Sequence, residues 1–123
     1  MRLLGVDWGE SKIGLAYSDG ILSEPWGIIE TKNWKTGIPR ICKEQKIERI
    51  VVGFSEGKTG EAQKLFVEEL QRMTNLPVDL EDETLTTYEA IAKMREIGKT
   101  VKDEDAISAA LILQAYLDKL EDV

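Results

Sequence analysis

Leu3-Leu4-Gly5-Val6-Asp7-Trp8-Gly9-Glu10-Ser11-Lys12-Ile13-Gly14-Leu15-Ala16-Tyr17-Ser18-Asp19 is the stretch on which the fold turns. Two apolar runs flank a polar corner, Glu10-Ser11-Lys12, with glycines at positions 9 and 14. A run, a tight turn and a second run predict a β-hairpin. Asp7 lies toward the end of the first run. Asp is poorly suited to a strand, and burying an unpaired charge is costly, so its place there calls for a physical reason. Two reasons fit. Glycines beside it let a ligand approach the backbone, and the carboxylate then holds a metal ion or a phosphate-bound cation at the hairpin mouth. Alternatively, Asp7 sits at the frayed strand end and caps the Gly9 turn by an Asx hydrogen bond.

The rest of the chain extends this hairpin into an α/β sheet. Ser18-Asp19-Gly20 is a turn signal. A short third strand is predicted from Trp26 to Glu30, at an edge, because Pro25 cannot donate to a ladder. Thr36 to Ile47 reads as a helix with Pro39 in its first turn and Ile38, Ile41 and Cys42 on its apolar face. Arg49 to Gly53 is a β-branched run that predicts a buried strand. The loop from Phe54 to Gly60 follows, then a helix marked by Ala62, Leu65, Phe66, Leu70 and Met73. Leu76 to Leu80 returns as a strand, parallel to the previous one because a helical crossover joins them. Thr86-x-x-Glu89 is a capping box opening a helix that stops at Gly98. A last helix, capped near Thr100 or Asp103, carries Ala106, Ala109, Ala110, Leu113, Leu117 and Leu120 on one face. The predicted order is β-β-β-α-β-α-β and then two helices, a mixed five-stranded sheet flanked by helices.

The chain has 123 residues, enough for one domain spanning 1–123. No run of about 18 apolar residues is present, which argues against a membrane span, and Asp7 follows the start too soon for a signal peptide. The single Cys42 rules out an internal disulfide and suits a reducing cytosol. With no histidine, a zinc site is disfavoured. The metal ligands on offer are carboxylates, which suit magnesium, calcium or manganese. A net charge of −7 and a pI of about 4.7 argue against a generic nucleic-acid binder. They do not exclude a nucleic-acid enzyme whose acidic centre is reversed in sign by bound divalent ions.

Three acidic positions fall where an open α/β sheet binds ligands, beyond the carboxyl ends of its strands. They are Asp7, the pair Asp82 and Glu83, and Asp105 at the inner edge of the last helix. Three carboxylates from three elements match what a magnesium-dependent phosphodiester hydrolase requires. Taken singly, each has a plainer reading, as a solvated strand flank or as an acid favoured by a helix N-terminus.

These residues resemble a known family. Gly5-Val6-Asp7-Trp8-Gly9 with Ile13-Gly14-Leu15-Ala16 is similar to the opening motif of the YqgF/RuvX family, and Val51-Val52-Gly53 to its second motif. Asp82-Glu83-Thr84-Leu85-Thr86-Thr87 is similar to its Asp-Glu-Arg-Leu-Thr-Thr signature. Asp105 with Ala109-Ala110-x-Ile112-Leu113-Gln114-x-Tyr116-Leu117 is similar to its closing helix. The resemblance runs across nearly the whole chain in the right order. It implies a ribonuclease H-like fold and a bacterial cytoplasmic nuclease, a monomer or weak dimer. Family members are described as Holliday-junction resolvase-like proteins, or as nucleases trimming the 5′ end of the small-subunit ribosomal RNA precursor. The implied partner is structured RNA or branched DNA. The implied ligands for Mg²⁺ or Mn²⁺ are Asp7, Glu83 (or its neighbour Asp82) and Asp105, with Lys12 and Thr86 contacting the nucleic-acid backbone.

Two departures bear on substrate handling. Thr84 stands where the family carries arginine, and Gly53-Phe54-Ser55 replaces Gly-Leu-Pro. Three rival readings stand beside the nuclease. Gly53-Phe54-Ser55-Glu56-Gly57-Lys58-Thr59 imitates a P-loop, but only three residues separate its glycine from Gly-Lys-Thr where four are needed. The Asp-x-Gly hairpin also opens actin-like and sugar-kinase ATPases, yet those enclose ATP between two such domains. A catalytically silent RNA- or protein-binding module on the same fold would bind without divalent metal. The Thr84 departure is directly testable, because arginine grips a phosphate bidentately and threonine offers only a hydroxyl. Thr84→Arg should raise single-turnover cleavage or substrate affinity by roughly 1–3 kcal/mol. Assays at two salt concentrations check this, and an unchanged or lower rate would mean that another cation, such as Lys12 or Lys58, fills the role or that the arginine is not needed.

Overall fold

The structure, a computed structural model, describes residues 1–54, 60–82 and 104–121. The Thr86 capping box, the helix ending at Gly98, the proposed caps at Thr100 and Asp103, and the loop carrying Lys58 lie outside the described residues. Strands β1 (Leu3–Asp7), β2 (Lys12–Ser18) and β3 (Ser23–Glu30) lead through a 3₁₀ turn (Thr31–Asn33) into helix α1 (Trp34–Glu44). Strand β4 (Arg49–Phe54), helix α2 (Gly60–Thr74), strand β5 (Val78–Asp82) and helix α3 (Glu104–Glu121) follow. The five strands form one sheet in the order β3-β2-β1-β4-β5. The β1–β2 and β2–β3 pairs are antiparallel. The β1–β4 and β4–β5 pairs are parallel, as the crossover rule requires. This is the mixed sheet expected of a ribonuclease H-like fold.

Strand alternation sorts the side chains into two cores. Leu4, Val6, Ile13, Leu15, Ile50 and Val52 face α1 and α2, where they meet Trp34, Ile38, Cys42, Phe66 and Leu70. Leu3, Ala16 and Val51 face α3, where they meet Ala109, Ala110, Ile112, Leu113 and Leu117. The sheet is therefore covered on both sides, which explains why β1 from Leu3 to Val6 and β4 from Ile50 to Gly53 carry no polar side chain.

Several boundaries differ from the sequence expectation, each for a tertiary reason. Strand β3 begins at Ser23 and contains Pro25. It tolerates the proline because it is an edge strand whose ladder slips between Leu15 and Ala16, leaving Trp26 as an extra bulge residue. Helix α1 begins at Trp34, which puts Pro39 in its second turn rather than its first. The Trp34 ring packs edge-on against Phe66 at 4.8 Å between centroids, and this burial starts the helix ahead of the proline. Strand β5 starts at Val78, although the Pro77 carbonyl already accepts from the Ile50 amide at 3.0 Å. On α2 only Phe66 and Leu70 of the expected stripe are buried, while Leu65 and Met73 are exposed. Leu120 is likewise exposed, so the packed face of α3 ends at Leu117.

Helix α3 is tethered along its length. The Ser23 hydroxyl donates to the Ala110 carbonyl at 2.5 Å, and the Ser23 amide donates to Gln114 Oε1 at 2.9 Å. Further on, the Tyr116 hydroxyl donates to Asp79, which also accepts from Arg49 at 2.6 Å. Lys119 reaches the buried Glu81 carboxylate at 2.5 Å.

Burial in the α1 core pushes the Cys42 thiol up to about 11 from an ordinary 9.0. A folded-state value above the unfolded one means that this contribution is complete below pH 9 and is lost as pH rises toward 11. At about 1.4 kcal/mol per unit, the loss reaches about 3 kcal/mol. The Tyr116 hydroxyl, also pushed up by burial and by its bond to Asp79, titrates with or without Cys42 and so cancels in a comparison. Melting temperatures of native protein should therefore fall more steeply across this range than those of Cys42→Ala, and the native thiol should resist alkylation at pH 8 until the chain unfolds.

Candidate active site

Asp7 ends β1, half-buried, and its ladder partners are Gly14 on β2 and Gly53 on β4. Gly53 pairs in turn with Glu81 on β5. One row across four strands thus reads Gly14, Asp7, Gly53, Glu81, all on the α3 face by strand alternation. Asp7 stands in it between two residues without side chains.

Those glycines let α3 lie against the backbone of the sheet. A Cβ on Gly14 would fall 1.9 Å from the Asp105 carbonyl oxygen. A Cβ on Gly53 would fall 2.3 Å from Ile112 Cδ1, and one on Gly5 2.9 Å from the Ala109 carbonyl oxygen. The first turn of α3 therefore rests on the residue paired with Asp7. Two acids 98 positions apart in the sequence are brought to one edge of the sheet by this contact. Asp105 is half-buried there.

The remaining expected residues are placed less uniformly. Lys12 is exposed at the start of β2, which is the carboxyl edge of β1. It shares the strand parity of Gly14 and so projects from the same face as Asp7. Asp82 is the last residue of β5 and shares the parity of Val78 and Leu80, which turns it toward the α1 and α2 face, away from Asp7. Glu83 and Thr86 lie outside the described residues. Glu81 had not been singled out in the sequence. It occupies the Asp7 row two strands away, buried, with its charge met by Lys119.

The corner between Asp7 and Lys12 is held from two sides, and the neighbouring strand from a third. Thr31 donates its hydroxyl to the Gly9 carbonyl at 2.7 Å and its amide to the Ser11 carbonyl at 2.9 Å. Trp8 packs against Phe66 at 6.2 Å between centroids. Gln63 of α2 donates to the Gly53 carbonyl at 2.6 Å, beside the Asp7 row. No short-range pattern announces Thr31 or Gln63, since each acts on a residue distant in sequence.

The donor set suits a hard cation. Asp7 and Asp105 offer oxygen ligands, the chain holds no histidine, and Cys42 is buried on the opposite face of the sheet. Among the described residues no group of three acidic or thiol donors is gathered at one point.

Comparison with known proteins identifies the family and the fold. The pattern of the family described as RuvX, Holliday junction resolvase, matches residues 1–119. The chain belongs to the RuvX family. A protein of Protochlamydia amoebophila (strain UWE25) named "Putative pre-16S rRNA nuclease" is 40% identical, over 95% of this chain and 93% of its own. One of Anaeromyxobacter sp. (strain Fw109-5) with the same name is 36% identical, over 96% and 97%. The fold is shared with the Fowlpox virus resolvase in complex with Holliday junction DNA, at a TM-score of 0.66 and 16% identity over 98% of this chain and 99% of that one. It is shared as well with T. thermophilus RuvC in complex with a Holliday junction substrate, at a TM-score of 0.61 and 15% identity over 98% and 96%. A RuvX chain with this fold is a nuclease, a hydrolase of phosphodiester bonds.

Gly14→Ala tests the contact that assembles the site. A methyl 1.9 Å from a helix carbonyl cannot be absorbed by a side-chain rotation, so α3 must move. Overpacking of this kind costs about 1–3 kcal/mol. Melting temperature should fall accordingly, and cleavage per folded molecule should fall with it because Asp105 is carried away from Asp7. Full activity in a destabilised Gly14→Ala protein would separate Asp105 from the chemistry.

Proposed function

We propose that this RuvX protein is a cytoplasmic, divalent-metal-dependent nuclease that acts on structured nucleic acid, with the 5′ end of precursor 16S ribosomal RNA as its first substrate. The observation that carries this reading is the seating of Asp105 on Gly14, the ladder partner of Asp7. It brings two carboxylate-bearing residues to the carboxyl edge of the central strand, where open α/β sheets take their ligands. Asp7, Asp105 and Glu83 hold Mg²⁺ or Mn²⁺, which when bound supplies activation of the attacking water and stabilisation of the leaving oxygen. Asp82, on the other face, is not a ligand in this reading. Lys12 meets a backbone phosphate from the rim of the same face, and Thr86 makes a further contact to the nucleic-acid backbone. The relatives' shared name favours the ribosomal precursor. The likeness of fold to two junction resolvases makes a four-way DNA junction the next substrate to try. In either case the chain acts as a monomer or weak dimer.

Asp7→Asn should reduce metal-dependent cleavage to background while the protein still melts in one cooperative transition, and Asp82→Asn should leave cleavage intact. The assay is a panel of single strands, duplexes, four-way junctions and precursor 16S RNA, with and without Mg²⁺ or Mn²⁺. Metal-independent binding of one substrate with no cleavage of any would replace the nuclease reading by a silent binding module.

A further inference from the structure

Only four residues, Trp8 to Ser11, join the strand that carries Asp7 to the strand that carries Lys12. This corner is polar and exposed at Glu10 and Ser11, and such a turn moves on its own unless something holds it. Within it, a Cβ on Gly9 would fall 2.6 Å from the Lys12 carbonyl oxygen, so the chain doubles back tightly. One residue from outside bonds the corner twice. Thr31, at the exit of the edge strand β3, gives its hydroxyl to the Gly9 carbonyl at 2.7 Å and its amide to the Ser11 carbonyl at 2.9 Å. The amide bond continues the β2–β3 ladder one step past the Lys12–Glu30 pair, and any residue but proline could make it. The hydroxyl bond is different. It reaches across the turn to the residue two places after Asp7, and it needs a side-chain donor at this position.

We propose that Thr31 is a positioning residue for the metal-dependent reaction, acting through Gly9 to fix the separation of the strand ends that carry Asp7 and Lys12. The inference rests on the nuclease reading above. On the other side of the corner Trp8 is already held by packing on Phe66. Fixing Gly9 as well leaves the turn little freedom to shift the ends of the two strands, where Asp7 and Lys12 stand. Groups that orient ligands from one step back in this way typically govern metal affinity or rate by about 10–100-fold when removed. Thr31 touches neither metal nor substrate in this scheme. Its effect is read in how strongly the site takes up the cation.

The test compares Thr31→Val, which keeps the β-branched shape and removes the donor, with Thr31→Ser, which keeps the donor and removes the methyl. Two readouts are taken on the full chain, the Mg²⁺ concentration at half-maximal single-turnover cleavage and the rise in melting temperature produced by Mn²⁺ without nucleic acid. In Thr31→Val the Mg²⁺ midpoint should rise roughly tenfold or more, the Mn²⁺-induced stabilisation should shrink, and the melting temperature without metal should change little. Thr31→Ser should restore both readouts. A Thr31→Val protein that melts lower but keeps the native metal midpoint would show a structural cap only and overturn the proposal, as would a Thr31→Ser protein as impaired as Thr31→Val. Native protein showing neither Mn²⁺-induced stabilisation nor cleavage would overturn the nuclease reading and this inference together. Native metal dependence matched by Thr31→Val would overturn the inference alone.

Discussion

Helix α3 lies so close to the sheet that Gly14, Gly5 and Gly53 have no room for a side chain, and the geometry of the rest follows from that closeness. A helix normally rides on a layer of side chains when it packs on a sheet. Here it rests on backbone along one diagonal, from Asp105 over Gly14 to Ile112 over Gly53. The alanines at 106, 109 and 110 are the matching half of the arrangement, being the smallest residues that still favour a helix. Close approach sets the position of the first turn of α3 to within a fraction of an ångström, because interiors are close-packed and resist compression. That turn carries Asp105.

Holding a helix so closely needs restraint along its length. Ser23 and Gln114 supply it at the β2–β3 end, and Tyr116 with Asp79 and Lys119 with Glu81 supply it over β5. The Glu81 carboxylate is nearly enclosed, and an enclosed charge is costly unless paired. Lys119 meets that need from a side chain that remains largely exposed, so its ammonium stays hydrated while its reach closes over the acid. The pair couples the far end of α3 to the strand next to β4. Tilting the helix at either end would break one of these contacts.

The chain's acidity sits easily with this arrangement. A net charge of −7 repels a phosphate backbone at long range. Carboxylates gathered at one sheet edge favour a divalent cation there, and a bound cation inverts the local sign. Exposed Lys12, on the same face and at the same edge, adds one positive charge there. Specific short-range contacts then matter more for such a protein than general attraction, so the rigidity of the corner between Asp7 and Lys12 carries weight.

Much of this was legible in the order of residues. The hairpin, the β4–α2–β5 crossover and the apolar stripe of α3 follow from local periodicity, which depends only on neighbours along the chain. Asp7 was legible because a carboxylate is out of place in an apolar run. Boundaries were less so. The start of α1 is set by Trp34 finding Phe66, and the tolerance of β3 for Pro25 by its place at the edge. The sequence by itself determined the elements, the family and the acids available to the site. Tertiary structure alone decided that the first turn of α3, with Asp105, rests on Gly14, the ladder partner of Asp7, that Asp82 turns to the other face, that Glu81 is neutralised by Lys119, and that Thr31 clasps the corner after Asp7. The physical reason is that each of these depends on register and on contact between residues far apart in the chain, which no local pattern encodes.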